Sequence, residues 1–160
     1  MDPEAKKRAL RMITYGLYVL TAADGDEVAA GTVNWLSQAS FEPPLVMVGI
    51  KVGSHLHALI ERTGTFAVNV LAADQKAIAQ DFFRTTKVED GKLSGHPFEP
   101  GPATGAPLLV ELPAWWEARV VDKVARGDHT VYVAEVVEAG VRRPDAKPLV
   151  MWDTGWYYGG

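Results

Sequence analysis

The stretch Gly31–Ile50, GTVNWLSQASFEPPLVMVGI, limits the folds open to this chain more than any other. It opens with small and β-branched residues, crosses a polar segment, turns at Pro43-Pro44 and re-enters an apolar run at Leu45–Ile50. Two strands joined by a polar corner is the reading this pattern supports. Pro44 fixes its own φ, pushes Pro43 toward an extended conformation and has no N–H for a ladder, so the corner is stiff. Asn34, Trp35, Ser37, Gln38 and Ser40 lie between the strands, offering more side-chain hydrogen-bonding groups than a turn requires. Either they satisfy the bend's own backbone, or they face the polar edge of a flat ligand.

The flanking sequence has the same character. Asp2–Met12 is rich in helix formers, with Pro3 at the first helical position behind an Asp2 cap. Tyr15–Ala22 and Glu27–Trp35 read as strands joined by the hairpin signal Asp24-Gly25-Asp26, and Leu45–Lys51 as a third. Ser54 caps a helix that places Leu56, Leu59 and Ile60 on one face until Thr63-Gly64 ends it. Thr65–Leu71 is a strand with Phe66, Val68 and Val70 on one side, and Asp74–Phe83 a short amphipathic helix. Arg84–Leu108 reads as an irregular Gly- and Pro-rich loop, of a length usually tied to function or a partner contact. Trp115–Val124 and Thr130–Val141 are long strands joined through Ala125–His129; Leu149–Trp152 reads as a last short strand before an aromatic tail. Strands joined mainly by tight turns, with short peripheral helices, predict a mainly β, antiparallel, closed or nearly closed barrel rather than a parallel sheet. Residues 1–160 fit one domain.

Several classes of function drop out. The net charge is −4, and the one dense basic group, Lys6, Lys7, Arg8 and Arg11, is diluted by Asp2 and Glu4, so no nucleic-acid polymer is expected as a partner. The chain has no cysteine, which removes disulfides, thiolate metal sites and a thiol nucleophile. Ile13–Ala23 is broken by Thr14, Tyr15, Gly16 and Thr21, unlike a signal peptide, and nothing nears the roughly 20 apolar residues of a membrane span. A cytoplasmic protein with no membrane partner is the expectation. His55 and His57 stand at i, i+2 and do not share a helix face, so no metal site is expected; His96 completes a set read as surface residues. No P-loop, G-x-S-x-G or Rossmann glycine fingerprint is present.

Beyond the corner, three groups can carry chemistry. Lys51, Ser54 and the following helix start form either an ordinary capped terminus or an anion site. Gly127-Asp128-His129 reads as a hairpin turn, yet the turn does not need His129, whose imidazole can hold a nicotinamide or supply a proton. Trp115 and Trp116 should point to opposite faces, one to the core and one exposed or at an interface. The tail Trp156-Tyr157-Tyr158 either packs on the barrel or covers a ligand or a second subunit.

Asn34–Pro44 followed by an apolar strand resembles the FMN-binding stretch of the flavin reductase-like family, and looks especially like the flavin reductase module of diflavin flavoproteins. The resemblance continues through Gly64-Thr65-Phe66-Ala67-Val68-Asn69-Val70-Leu71 and Gly127-Asp128-His129, and extends to the final tyrosines. It implies a homodimeric split barrel that binds FMN, with FAD the second choice, and takes hydride from NADH or NADPH. The acceptor would be free flavin, a monooxygenase or an electron-transfer partner. Thr32, Asn34, Trp35, Leu36 and Ser37 would lie along the isoalloxazine; Gln38, Ala39 and Ser40 would continue toward the ribityl chain; Lys51 and Ser54 would sit near the phosphate, and His129 would face the nicotinamide as the catalytic residue. Many reductases carry Ser or Thr where this chain has Asn34-Trp35, a departure that bears on whether flavin is held or exchanged. The competing readings are a non-catalytic FMN carrier or storage protein, and a barrel that serves as an interaction module without flavin.

Overall fold

A computed structural model describes residues 1–160. Helix α1, Pro3–Arg11, starts where Asp2 accepts the Glu4 N–H, with Pro3 in the first turn. Strands β1, Tyr18–Asp24, and β2, Glu27–Val33, form the expected hairpin, and Gly25 takes the positive φ of its turn. Beyond β2 the structure departs from the sequence reading. Leu36–Ser40 is not a loop but a strand, β3, paired antiparallel with β4, Leu45–Lys51, across a bend at residues 41–44. Helix α2, His55–Thr63, is capped by Ser54 and ends at Gly64 in the left-handed region. Strand β5, Thr65–Val70, follows, and α3 is shorter than predicted, at Lys76–Asp81.

The predicted irregular loop contains four short strands: β6, Val88–Glu89; β7, Lys92–Leu93; β8, His96–Pro100; and β9, Pro107–Leu109. The long hairpin of β10, Ala114–Val124, and β11, His129–Val141, is as expected. Leu149–Trp152 is not a strand. Val150 and Pro148 make single bridges to Gly16 and Ala72, and the chain then coils into one helical turn, α4, Met151–Thr154.

The main sheet runs β2-β1-β5-β10-β11-β4-β3, antiparallel throughout, and its two end strands do not pair, so the barrel is split. Its interior packs Leu20, Val48, Ile50, Phe66, Val68 and Tyr132 against Leu56, Leu59 and Ile60 of α2. Burying each large apolar side chain contributes roughly 1.5–3 kcal/mol. The opposite face of β1 and β5 is covered by the small sheet β6–β9, α3 and the segment around Leu149, through Val19, Leu71, Phe82, Leu93 and Leu109. Strand β5 is therefore buried on both faces. Asn69 joins the layers: its Nδ2 donates to the Val19 carbonyl (3.2 Å) and its Oδ1 accepts the Leu109 N–H (2.9 Å). Both tryptophans are half-buried rather than one exposed. Trp116 sits edge-on to Tyr18, while Trp115 packs with Ala67, Ala106 and Leu108 over Gly140, where any Cβ would collide with its ring.

His96 is not a simple surface residue either. Its ring nitrogens meet Glu111 Oε1 (2.8 Å) and Asp81 Oδ2 (2.7 Å), which ties β8 to α3. Burial opposes charge on this imidazole, but the two carboxylates outweigh it and hold the pKa above the ordinary value. A group with a raised folded-state pKa stabilises fully below its unfolded pKa, about 6.5, and loses that contribution as pH rises through the folded value. His96→Ala is therefore expected to cost about 1–2 kcal/mol at pH 5.5 and less at pH 9. Urea midpoints at the two pH values test this; an equal loss at both would exclude the charged clamp.

Candidate functional site

A cavity of about 720 Å³ opens between the end of β2, the start of α2, the segment after α3 and the C-terminal residues. That is within the range of small-molecule and cofactor clefts, roughly 300–1,000 Å³. Its wall includes Thr32, Asn34, Trp35, Lys51, Ser54 and His129, six residues that the sequence singled out. Leu36, Ser37, Gln38, Ala39 and Ser40 are not on the wall. Pairing with β4 carries them away along β3, where Leu36 packs on the barrel core and Ser37, Gln38 and Ala39 face solvent.

The β2 side is stitched to the α3 side. Thr32 Oγ1 donates to the Ala79 carbonyl (2.6 Å), and the Thr32 N–H donates to the Phe82 carbonyl (3.2 Å). Thr86 Oγ1 accepts the Ala30 N–H and donates to the Ala30 carbonyl. These bonds fix Phe82, Phe83, Arg84, Thr85 and Thr86 as a second wall that sequence reading missed. The only available signal was a basic residue followed by two hydroxyls, directly after a short amphipathic helix.

The charge of this wall is one-sided. Lys51 and Arg84 line it together with His55 and His129, and no carboxylate does, although the chain as a whole is acidic. Ser54 Oγ accepts the His57 N–H (3.1 Å) and donates to the Lys51 carbonyl (2.8 Å), so the N-terminus of α2 and the Lys51 backbone are locked at one end of the cavity. Backbone N–H groups at such a terminus favour an anion.

Trp35, His129 and Tyr158 form an aromatic group on the wall. The Trp35 ring centroid is 4.5 Å from His129 and 5.0 Å from Tyr158. Gly49 lies against this group, where a Cβ would make ordinary van der Waals contact with the Trp35 ring at 3.4 Å. His129 Nδ1 is 2.8 Å from Asp128 Oδ1 and Nε2 is 2.7 Å from the Tyr158 hydroxyl. In the neutral ring, Nδ1–H donates to the carboxylate and Nε2 accepts from the phenol. The hydrogen bond to His129, then its charge, holds Asp128 below the usual carboxylate range. Burial, then the Asp128 charge, pushes Tyr158 above the usual phenol value. Asn34, buried, donates from Nδ2 to Met151 Sδ (2.9 Å), while Trp35 Nε1 is buried with no hydrogen-bond partner. An anion-favouring end, flat apolar walls and an unpaired indole donor suit a planar heterocycle that carries a phosphate.

A family profile described as Flavin reductase like domain matches residues 10–160. The chain is 31% identical to the NADH-dependent flavin reductase StyB of Pseudomonas fluorescens, over 99% of this chain and 91% of that protein. It is 30% identical to an NADH:riboflavin 5'-phosphate oxidoreductase of Streptomyces pristinaespiralis, over 95% and 85% respectively. Among solved structures, the NADH:FAD oxidoreductase SgcE6 of Streptomyces globisporus, in complex with NAD and FAD fragments, superposes with a TM-score of 0.78 at 27% identity, over 94% of this chain and 90% of that one.

Proposed function

The chain belongs to the flavin reductase-like family, and from that membership and the cavity we propose that it is an NAD(P)H:flavin oxidoreductase that binds FMN. The single observation that carries the choice is the cavity's charge: its formal charges are all positive, in a net acidic chain. Lys51, Ser54, Arg84 and the start of α2 would hold the flavin phosphate. Thr32, Asn34 and Trp35 would line the ring, with the unpaired Trp35 Nε1 as a donor to it. Bound flavin supplies the hydride acceptor and the nicotinamide supplies the hydride. His129, its tautomer fixed by Asp128, would orient the nicotinamide in the cavity. The names of the relatives include both riboflavin 5'-phosphate, which is FMN, and FAD; a cavity with one anion-favouring end favours the monophosphate.

On these grounds reduced flavin would pass to a separate acceptor, such as a monooxygenase. A homodimer fits the outer face of β4 and β11, where Met47, Val131 and Val133 share one side and the first two stay substantially exposed. No helix is long and apolar enough to cross a membrane.

The test is the visible spectrum of the purified protein loaded with FMN, before and after anaerobic addition of NADH and then NADPH. Prompt bleaching is expected. Bands that only dithionite bleaches would replace the reductase with a carrier or storage protein, and no flavin uptake would end the flavin reading. In the working enzyme, His129→Ala is expected to lower kcat/KM for the nicotinamide roughly tenfold, the effect of one hydrogen-bonding partner, with FMN affinity retained. An unchanged kcat/KM would remove His129 from the site.

A further inference from the structure

We propose that Gly155–Gly160 is a self-occluding strap that the nicotinamide nucleotide has to displace, and that Arg11 of α1 sets how firmly it is held. The inference rests on the reading that His129 receives the nicotinamide beside a flavin ring lined by Trp35. After α4 the chain has no regular structure and runs along the cavity, with Gly155, Trp156, Tyr157 and Tyr158 on its wall. Tyr158 already occupies His129 Nε2, and Gly159 lies against Trp35, where a Cβ would come within 2.7 Å of its ring. The residue assigned to the nicotinamide, His129, and the Trp35 ring beside it are thus covered by the protein's own Gly155–Gly160 segment. The cover is imperfect: the Trp35 indole N–H beneath it is left without a partner, a costly arrangement for a buried donor.

The strap is also weakly fastened. No backbone N–H of Tyr157–Gly160 is hydrogen-bonded within the protein, and Tyr157 and Tyr158 are 67% and 45% exposed. Gly155 and Gly159 have φ of 77° and 92°, conformations that few other residues adopt readily. A segment with so few buried contacts belongs to the low-stability end of a structure. Its clasp is Arg11, whose Nε donates to the Gly159 carbonyl (3.2 Å) and whose guanidinium lies 3.7 Å above the Tyr157 ring. Helix α1 has no buried residue, so its tie to the tail rests on such surface contacts. Arg11 is outside the wall of the cavity. It is a positioning residue that acts through the strap.

If only the open form accepts nicotinamide, the apparent affinity is reduced by the open fraction. Arg11→Ala should raise that fraction. The expected result is a fall of about threefold in KM for NADH, with kcat not lowered, and a smaller fall for Arg11→Lys, which keeps the charge but not the planar stack. Chymotrypsin should release the residues beyond Tyr157 of the FMN-loaded wild type faster when NAD⁺ is added. An unmoved or raised KM in Arg11→Ala would overturn the strap. Slower release with NAD⁺ would mean that the tail closes over the nucleotide, and would overturn displacement. Wild-type protein whose flavin neither NADH nor NADPH reduces would instead fail the reductase reading, visibly and before any variant is made, and would take the strap's substrate with it.

Discussion

Replacing Lys51 and Arg84 together by alanine is expected to weaken FMN binding at least ~100-fold while leaving riboflavin binding nearly unchanged. Both side chains line the cavity and both are exposed, so each is assigned the low end of a charge-assisted hydrogen bond, about 1.5 kcal/mol. Two such losses give about 3 kcal/mol, or two decades in Kd. Exposure also makes the interaction sensitive to salt, because charges in contact with solvent are screened beyond about 10 Å at 0.1 M. Wild-type affinity for FMN should therefore fall as salt is raised, and that dependence should largely disappear in the double variant. Riboflavin carries the same ring without the phosphate, so it separates ring contacts from anion contacts. Fluorescence titrations with both flavins at two salt concentrations measure all of this. Equal losses for FMN and riboflavin would mean that the substitutions had disturbed the ring site, and that the anion end lies elsewhere.

That pair of residues also shows where sequence legibility ends. Lys51 and Ser54 could be singled out because the proposed anion site is local: a strand end, a cap and a helix start within a few residues. Arg84 could not, because its place depends on hydrogen bonds between Thr32 and Ala79 and between Thr86 and Ala30, separated by 47 and 56 residues. Hairpins and capped helices were legible for the same local reason. Strand β3 was not: Ser37, Gln38 and Ala39 face solvent at the end of the sheet, so their polarity reads as loop while β4 alone specifies the pairing. Leu149–Trp152 shows the reverse error, a short apolar run whose periodicity cannot separate strand from helical turn. Of the residues that the resemblance through Asn34–Pro44 implies as ligand contacts, Asn34 and Trp35 line the cavity and those on β3 do not; the cavity instead continues across space to α3 and the tail.

The largest loss of stability is expected from Glu117→Ala, at a residue far from any proposed chemistry. Glu117 is fully buried on β10, and its carboxylate accepts the Ala103 N–H (3.0 Å), the Thr104 N–H (2.8 Å) and the Thr104 hydroxyl (2.6 Å). It thereby folds the loop between β8 and β9 over Ala67, Leu108 and Trp115. The same loop delivers the Pro107 carbonyl to Thr21 Oγ1, a second tie between the small sheet and the barrel. Truncation would leave the loop donors unpaired and open a void beneath them, for a cost of about 3 kcal/mol. For a chain of this size that lowers Tm by roughly 6–12 °C. Glu117→Gln keeps the volume but turns an amide N–H toward donors, so it should recover only part of the loss. Residues 101–106 and Glu117 are absent from the cavity wall, so whatever fraction remains folded should bind FMN with wild-type affinity. Urea unfolding and flavin titration on the same preparation separate the two effects. A stable Glu117→Ala protein would show that the apolar contacts, with the Asn69 and Thr21 hydrogen bonds, hold the small sheet without Glu117.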